Sequence, residues 1–297
     1  MVTRTITLPT PDLFDFDQCL FFLDRGYDEC LYQLSDRLVL RAIEFEGTLI
    51  PFSITEKEGK LLIEIESSVT VEAQKQVLAY VNEWFDIDRD LSPFYELLSV
   101  TKSLKPLLEK YKGLRLIGIP SLFEALCWSV IGQQINLTFA FKLKRRLVET
   151  YGKSIKFKGH TLYHFPSPES LAALDEDYLR TQQYSRGKIK YIKNVAEAFL
   201  NHGLSKKALA QIPDFESRQQ TLTAIKGIGV WSANYALMKT LHQPEAIPFG
   251  DTGLTQSLYN LKIIADRKDE PAIVAFFEEM KGWEAYTVFY LWRSLAG

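Results

Sequence analysis

The stretch Ala224-Ile225-Lys226-Gly227-Ile228-Gly229-Val230-Trp231-Ser232-Ala233-Asn234-Tyr235 decides how the rest of the chain is read. Two glycines one residue apart break a helical pattern, and a second helical pattern starts directly after them. Glycine reaches backbone angles closed to other residues and lets a second backbone come close. Such a turn leaves the first N–H groups of the following helix without intrahelical partners, which makes a seat for a phosphate oxygen. Leu222 and Ile225 anchor the helix before the turn. Trp231, Tyr235 and Met238 fall at 0, 4 and 7 and share one face of the helix after it. About twenty residues on, Pro248-Phe249-Gly250-Asp251-Thr252-Gly253-Leu254 sets an acid after a loop and at a helix start.

Upstream of the turn the pattern is helical from about residue 96. Ser121, three residues before Glu124, forms a capping box that opens a helix with Phe123, Leu126, Cys127, Val130 and Ile131 on its apolar side. That pattern breaks at Gly132-Gln133-Gln134-Ile135 and resumes with Asn136 as N-cap of a helix to about Tyr151. A polar pair at a break between two helices is placed to touch a partner, or to satisfy the turn's own backbone. Ser167-Pro168 starts a short helix, and Ser185 to His202 forms another, closed by Gly203. The entry of the latter carries Arg186, Lys188, Lys190 and Lys193, suited to phosphate contact or to a solvated surface. Downstream, Pro271 lies near a helix start and Trp283-Glu284-Ala285-Tyr286 precedes a last helix ending in Leu291-Trp292-Arg293.

Residues 1–95 differ. Alternation in 38–46 and 60–66 predicts antiparallel strands bounded by Gly47 and Gly59, and a helix runs from Thr70 through Val77, Val81 and Trp84. The chain is therefore α+β: a small mixed antiparallel-sheet domain over 1–95, then a helical region over 96–297. The net charge of −2 hides an asymmetry, since residues 1–95 hold 8 Lys/Arg against 18 Asp/Glu and the remainder 27 against 19. The larger part can meet a polyanion while the acidic part faces away. No apolar run approaches the roughly 18 residues of a membrane span, and the N-terminus lacks a secretion signal's apolar stretch. Cys19, Cys30 and Cys127 form no metal-spaced pair, which fits a reduced compartment and no iron–sulfur cluster. Cytoplasm or nucleoid is the expected location, and a monomer the expected state.

Three segments in this order, 123–134, 225–233 and 248–254, resemble the helix-hairpin-helix (HhH-GPD) DNA glycosylases. In that superfamily the hairpin is followed by a Gly/Pro-rich loop and a catalytic Asp. A mixed N-terminal domain ahead of them looks like the 3-methyladenine DNA glycosylase II branch, over essentially the whole chain. The resemblance implies that 96–297 divides into one subdomain over about 122–242, ending in the hairpin, and a second that joins about 96–121 to 243–297, with the active-site cleft between them. The resemblance implies double-stranded DNA with damaged bases as partner, no cofactor and no catalytic metal, and allows a structural monovalent cation at the hairpin. It makes Asp251 the catalytic carboxylate, which stabilises the positive charge that builds on the sugar and orients or deprotonates water. It makes Trp231, Tyr235, Trp283 and Tyr286 the aromatic pocket for an alkylated, cationic purine flipped out of the duplex. Gly227, Ile228, Gly229, Lys226, Arg186 and Lys188 would hold the DNA backbone. The wedge that fills the vacated stack falls at Gln134, with Ile135 as the alternative, although the best-known alkylation-repair pattern is apolar there. Trp231 occupies the position at which strand-cutting members carry a Schiff-base lysine, so the implied enzyme is monofunctional and leaves an abasic site. The alternatives are a glycosylase for oxidised or deaminated purines, which would need polar readout of an uncharged base, and a non-catalytic protein that binds distorted DNA, against which Asp251 argues.

Overall fold

A computed structural model describes residues 2–296. The N-terminal part holds β1 (Thr3–Pro9), α1 (Phe16–Leu23), β2 (Tyr32–Ser35), β3 (Leu38–Phe45), β4 (Thr48–Lys57) and β5 (Lys60–Glu66), then α2 (Val71–Trp84). The strands form one antiparallel sheet in the order β1-β5-β4-β3-β2. In β5 the alternation read from sequence becomes Leu61, Ile63 and Ile65 facing the core, packed under α2 residues Val77, Val81 and Trp84. Thr70 caps α2 through its hydroxyl, which accepts from Ala73 N.

The chain then runs α3 (Ser92–Val100), α4 (Lys105–Lys110), α5 (Leu122–Gly132) and α6 (Leu137–Tyr151). Next comes a departure from the all-helical expectation for 96–297. β6 (Lys153–Phe157) and β7 (His160–His164) form a two-stranded hairpin laid on β3 and β4. It buries the second face of the main sheet, where Leu40 and Ala42 meet Phe157 and Leu162. This explains why β3 is buried on both sides in its middle, a pattern that periodicity alone does not assign.

The remainder is helical: α7 (Pro168–Ala172), α8 (Glu176–Thr181), α9 (Arg186–Asn201), α10 (Lys206–Gln211), α11 (Phe215–Thr223), α12 (Val230–Leu241), α13 (Thr252–Asn260), α14 (Glu270–Glu279) and α15 (Glu284–Ser294). The helix starts agree with their caps: Ser121, Asn136, Ser167 and Ser185 each accept a hydrogen bond from the N–H three residues on. α5 is buried on almost every side and packs against α6, α9 and α12. One continuous core joins the sheet domain to the helices. Fully buried Arg115 reinforces the joint by donating to the carbonyls of Leu13 (3.0 Å), Ile87 (3.2 Å) and Arg89 (2.6 Å). Among the described residues no helix is long and apolar enough to cross a membrane.

Candidate functional site

The hairpin forms as its glycines require. After α11, Gly227 turns the chain at φ +107°, and a Cβ there would sit 2.2 Å from Cγ of Tyr191 on α9. Both the backbone angle and the close approach therefore exclude a side chain. Gly229 caps α12 with extended backbone and no side-chain cap, so the first N–H groups of that helix are not claimed by a capping side chain. Lys226 and Arg186 are exposed nearby.

The second element is the loop before α13. Gly250 takes φ +85° and delivers Asp251 as N-cap, its Oδ1 accepting from Leu254 N at 2.7 Å. Trp292 Nε1, from the end of α15, donates to the same oxygen at 2.9 Å, and Trp231 Nε1 reaches Oδ2 at 3.4 Å. The carboxylate is thus oriented by three N–H donors from three helices. Oδ1 takes two of them, so Oδ2 is the less encumbered oxygen.

Asp251 stands at one end of a cavity of about 1150 Å³. Trp231 and Tyr235 stack along its wall with centroids 5.6 Å apart, and Trp292 follows at 6.2 Å from Tyr235. Trp128 Nε1 donates to the Tyr235 hydroxyl at 3.0 Å, fixing the ring from the α5 side. Burial pushes the Tyr235 phenol up, so it stays protonated. Lys239 lies two turns beyond Trp231 on the same face of α12. It donates to the Ile117 carbonyl, and burial holds its amine well below the ordinary lysine range.

The turn between α5 and α6 flanks this cavity. Gln134 is exposed and left-handed at φ +57°, while Ile135 is half-buried against the core. Gln133 bridges to the hairpin, its Nε2 donating to the Gly227 carbonyl (3.0 Å) and to Ser232 Oγ (3.1 Å). Lys188 closes the arrangement from behind. Its Nζ donates to the carbonyls of Val130 (2.9 Å), Ile131 (2.8 Å) and Gln133 (2.7 Å) at the C-terminal end of α5. Desolvation lowers this ammonium to about 8.

Three assignments change on this geometry. Lys188 points into the protein and donates to the carbonyls at a helix end, so it supports the turn and does not reach for a phosphate. Tyr286 is buried, its hydroxyl donating to Asp86 Oδ2 at 2.5 Å, and Trp283 packs on Phe94 with centroids 5.4 Å apart. Neither lines the cavity, because the N-terminal end of α15 packs into the core and its C-terminal end reaches the cleft. From α15 it is Trp292, nine residues beyond Trp283, that joins Trp231 beside Asp251. The Leu291-Trp292-Arg293 ending was visible in sequence, but which end of the helix faces the loop was not. Glu124 departs from the reciprocal capping box as well. Ser121 Oγ accepts from Glu124 N, but the Glu124 carboxylate turns to Arg41 (3.5 Å) and Lys144 (3.7 Å).

The chain and its fold have counterparts among known proteins. Residues 127–281 match the profile of HhH-GPD superfamily base excision DNA repair proteins, and residues 33–126 that of the 8-oxoguanine DNA glycosylase N-terminal domain. The DNA-3-methyladenine glycosylase of Bacillus subtilis is 36% identical over 99% of this chain and 98% of its own. In fold, the chain superposes on the 3-methyladenine DNA-glycosylase of Archaeoglobus fulgidus with TM-score 0.82 at 21% identity, covering 97% of both chains. The Clostridium acetobutylicum 8-oxoguanine glycosylase/lyase, solved with double-stranded DNA, gives TM-score 0.78 at 18% identity, covering 98% of this chain and 94% of that one.

Proposed function

The chain belongs to the HhH-GPD superfamily of base excision DNA repair proteins, and we propose from that premise that it is a monofunctional DNA glycosylase for alkylated purines. The observation that carries the proposal is the Asp251 carboxylate, held by three N–H donors at the mouth of an aromatic cavity beside the hairpin. The hairpin amides bind a phosphate on the strand, and Gln134 enters the duplex where the target nucleotide leaves the stack. The extruded base, cationic through its N-alkyl group, meets the faces of Trp231 and Tyr235, a contact worth about 2 kcal/mol when desolvated.

The glycosidic bond then breaks with its electron pair passing to the base, which leaves neutral. The sugar carries the positive charge opposite Asp251 Oδ2. Water adds to the anomeric carbon and gives up a proton, leaving an abasic site and an uncut strand. An indole at position 231 has no amine with which to form a Schiff base, which supports hydrolysis without strand scission. Lys239 is the one lysine on the same face of α12, but its amine is directed at the Ile117 carbonyl.

The test is incubation with duplex DNA containing 3-methyladenine, followed by separate assays of free base and of strand breaks. Release of base with breaks appearing only after alkali or heat is the expected result. Immediate breaks overturn the monofunctional assignment, and no release overturns the glycosylase assignment.

A further inference from the structure

Two turns meet DNA in the reading above: the one carrying Gln134, which enters the duplex, and the Gly227–Gly229 hairpin, which holds a phosphate. Gln133 and Gly227 are 94 residues apart in sequence, yet one helix, α9, holds both turns from behind. On successive turns of α9, Lys188 donates to the carbonyls of Val130, Ile131 and Gln133, and Asn194 Nδ2 donates to the Lys226 carbonyl at 2.8 Å. Between them Tyr191 packs so closely on Gly227 that a Cβ there would lie 2.2 Å from its Cγ. Gln133 also joins the turns directly, its Nε2 donating to the Gly227 carbonyl at 3.0 Å and to Ser232 Oγ, at the start of α12, at 3.1 Å.

These contacts set direction as well as distance. In a trans peptide the N–H points opposite the C=O, so the hold on the Lys226 carbonyl aims the Gly227 N–H away from α9. On the other turn, Gln133 is anchored through both its carbonyl and its side chain. The next residue, Gln134, is exposed and left-handed at φ +57°. An anchored residue therefore carries a projecting one. Extruding a base means unstacking and unpairing it, which the duplex resists. Energy gained where a phosphate binds can be spent on that step only if the wedge cannot give way relative to the phosphate grip.

We propose that Gln133 is the positioning residue of base extrusion. With α9 behind it, Gln133 makes the hairpin and the wedge turn one rigid unit, so that phosphate binding on the hairpin drives Gln134 into the stack. The inference rests on the glycosylase reading above. Gln133 acts through Gln134 and the hairpin and takes no part in bond cleavage at Asp251. Its loss should therefore matter where a base must be pulled from a paired stack and not where the base is already loose.

Single-turnover base release is measured from two duplexes, one with 3-methyladenine opposite thymine and one with the same lesion inside a bubble of unpaired bases. A 2-aminopurine next to the lesion reports unstacking at saturating protein. Gln133→Leu removes both side-chain donors at similar volume. It should slow release from the paired duplex about 5- to 30-fold, lower the 2-aminopurine signal, and leave release from the bubble within about twofold. Asn194→Ala, which removes only the bond to Lys226, should show the same pattern at about 2- to 5-fold, and it carries the comparison if Gln133→Leu does not fold. Equal losses on the two duplexes mark a merely structural residue and overturn the proposal, as does an unchanged rate on the paired one. No release by wild type from either duplex overturns the glycosylase reading instead. The 2-aminopurine signal then decides: the rigid unit stands if the variants lower it and falls if they do not.

Discussion

Replacing Asp251 by Asn separates the N-cap role of this carboxylate from the catalytic role proposed for it. As N-cap of α13, Oδ1 accepts from Leu254 N at 2.7 Å, and Asn caps about as well as Asp. The amide oxygen also retains the donor from Trp292. The new Nδ2 then faces Trp231 Nε1, donor against donor, where the carboxylate oxygen stood at 3.4 Å. That bond is long and Trp231 is partly exposed, so water can take it over and the folding cost is about 1 kcal/mol or less. In the proposed mechanism the variant loses the full negative charge opposite the sugar. Electrostatic stabilisation of this kind is worth about 3–4 kcal/mol, so single-turnover base release should fall at least about 100-fold. Asp251→Ala should be equally inactive and also lose about 0.5–2 kcal/mol from the missing cap. The assay pairs base release from 3-methyladenine DNA with urea denaturation of each variant. Base release by Asp251→Asn within about tenfold of wild type would refute a catalytic charge. A loss of stability in Asp251→Asn as large as in Asp251→Ala would refute the separation of roles.

Three further outcomes follow from the geometry. Gly227→Ala places a methyl 2.2 Å from Tyr191 Cγ at φ +107°, which should cost about 3 kcal/mol or more and lower Tm. Combining it with Tyr191→Ala should recover part of the loss, whereas an unchanged Tm in the single variant would contradict the packing described. Lys188→Met removes three bonds to the carbonyls that end α5, costing about 1–3 kcal/mol. The slope of log binding constant against log salt should not change, because no phosphate contact is lost; a slope smaller by about 1 would restore Lys188 to the DNA backbone. Burial lowers His242 from its ordinary 6.5 to about 4, so the unfolded chain takes up a proton in that window and the folded chain does not. Stability should therefore fall as pH drops from about 6.5 through 4, by on the order of 2 kcal/mol between pH 7 and 5 from this group. His242→Asn should flatten the urea-midpoint profile there, and an identical profile would assign the loss elsewhere.

Much of the fold and part of the candidate site was legible in the chain because it depends on neighbours in sequence. Strand alternation over 60–66, the caps at Thr70, Ser121, Asn136 and Ser185, the Gly227–Gly229 turn and the acid at the next helix start are all local. A 3.6-residue period likewise carried Trp231 and Tyr235 onto one face of α12. What only the tertiary structure decided is where the far ends of side chains arrive. Trp292 and not Trp283 meets Asp251, because the packing of α15 determines which of its ends enters the cleft. The Lys188 ammonium turns inward because α5 ends behind it with a cluster of carbonyls. Glu124 leaves its capping box because Arg41 and Lys144, 83 residues before it and 20 after it in the chain, bring two cations to its carboxylate. Local periodicity fixes a residue's direction from its own helix axis. The partner it meets is set by how helices and sheet pack, through contacts between segments far apart in sequence.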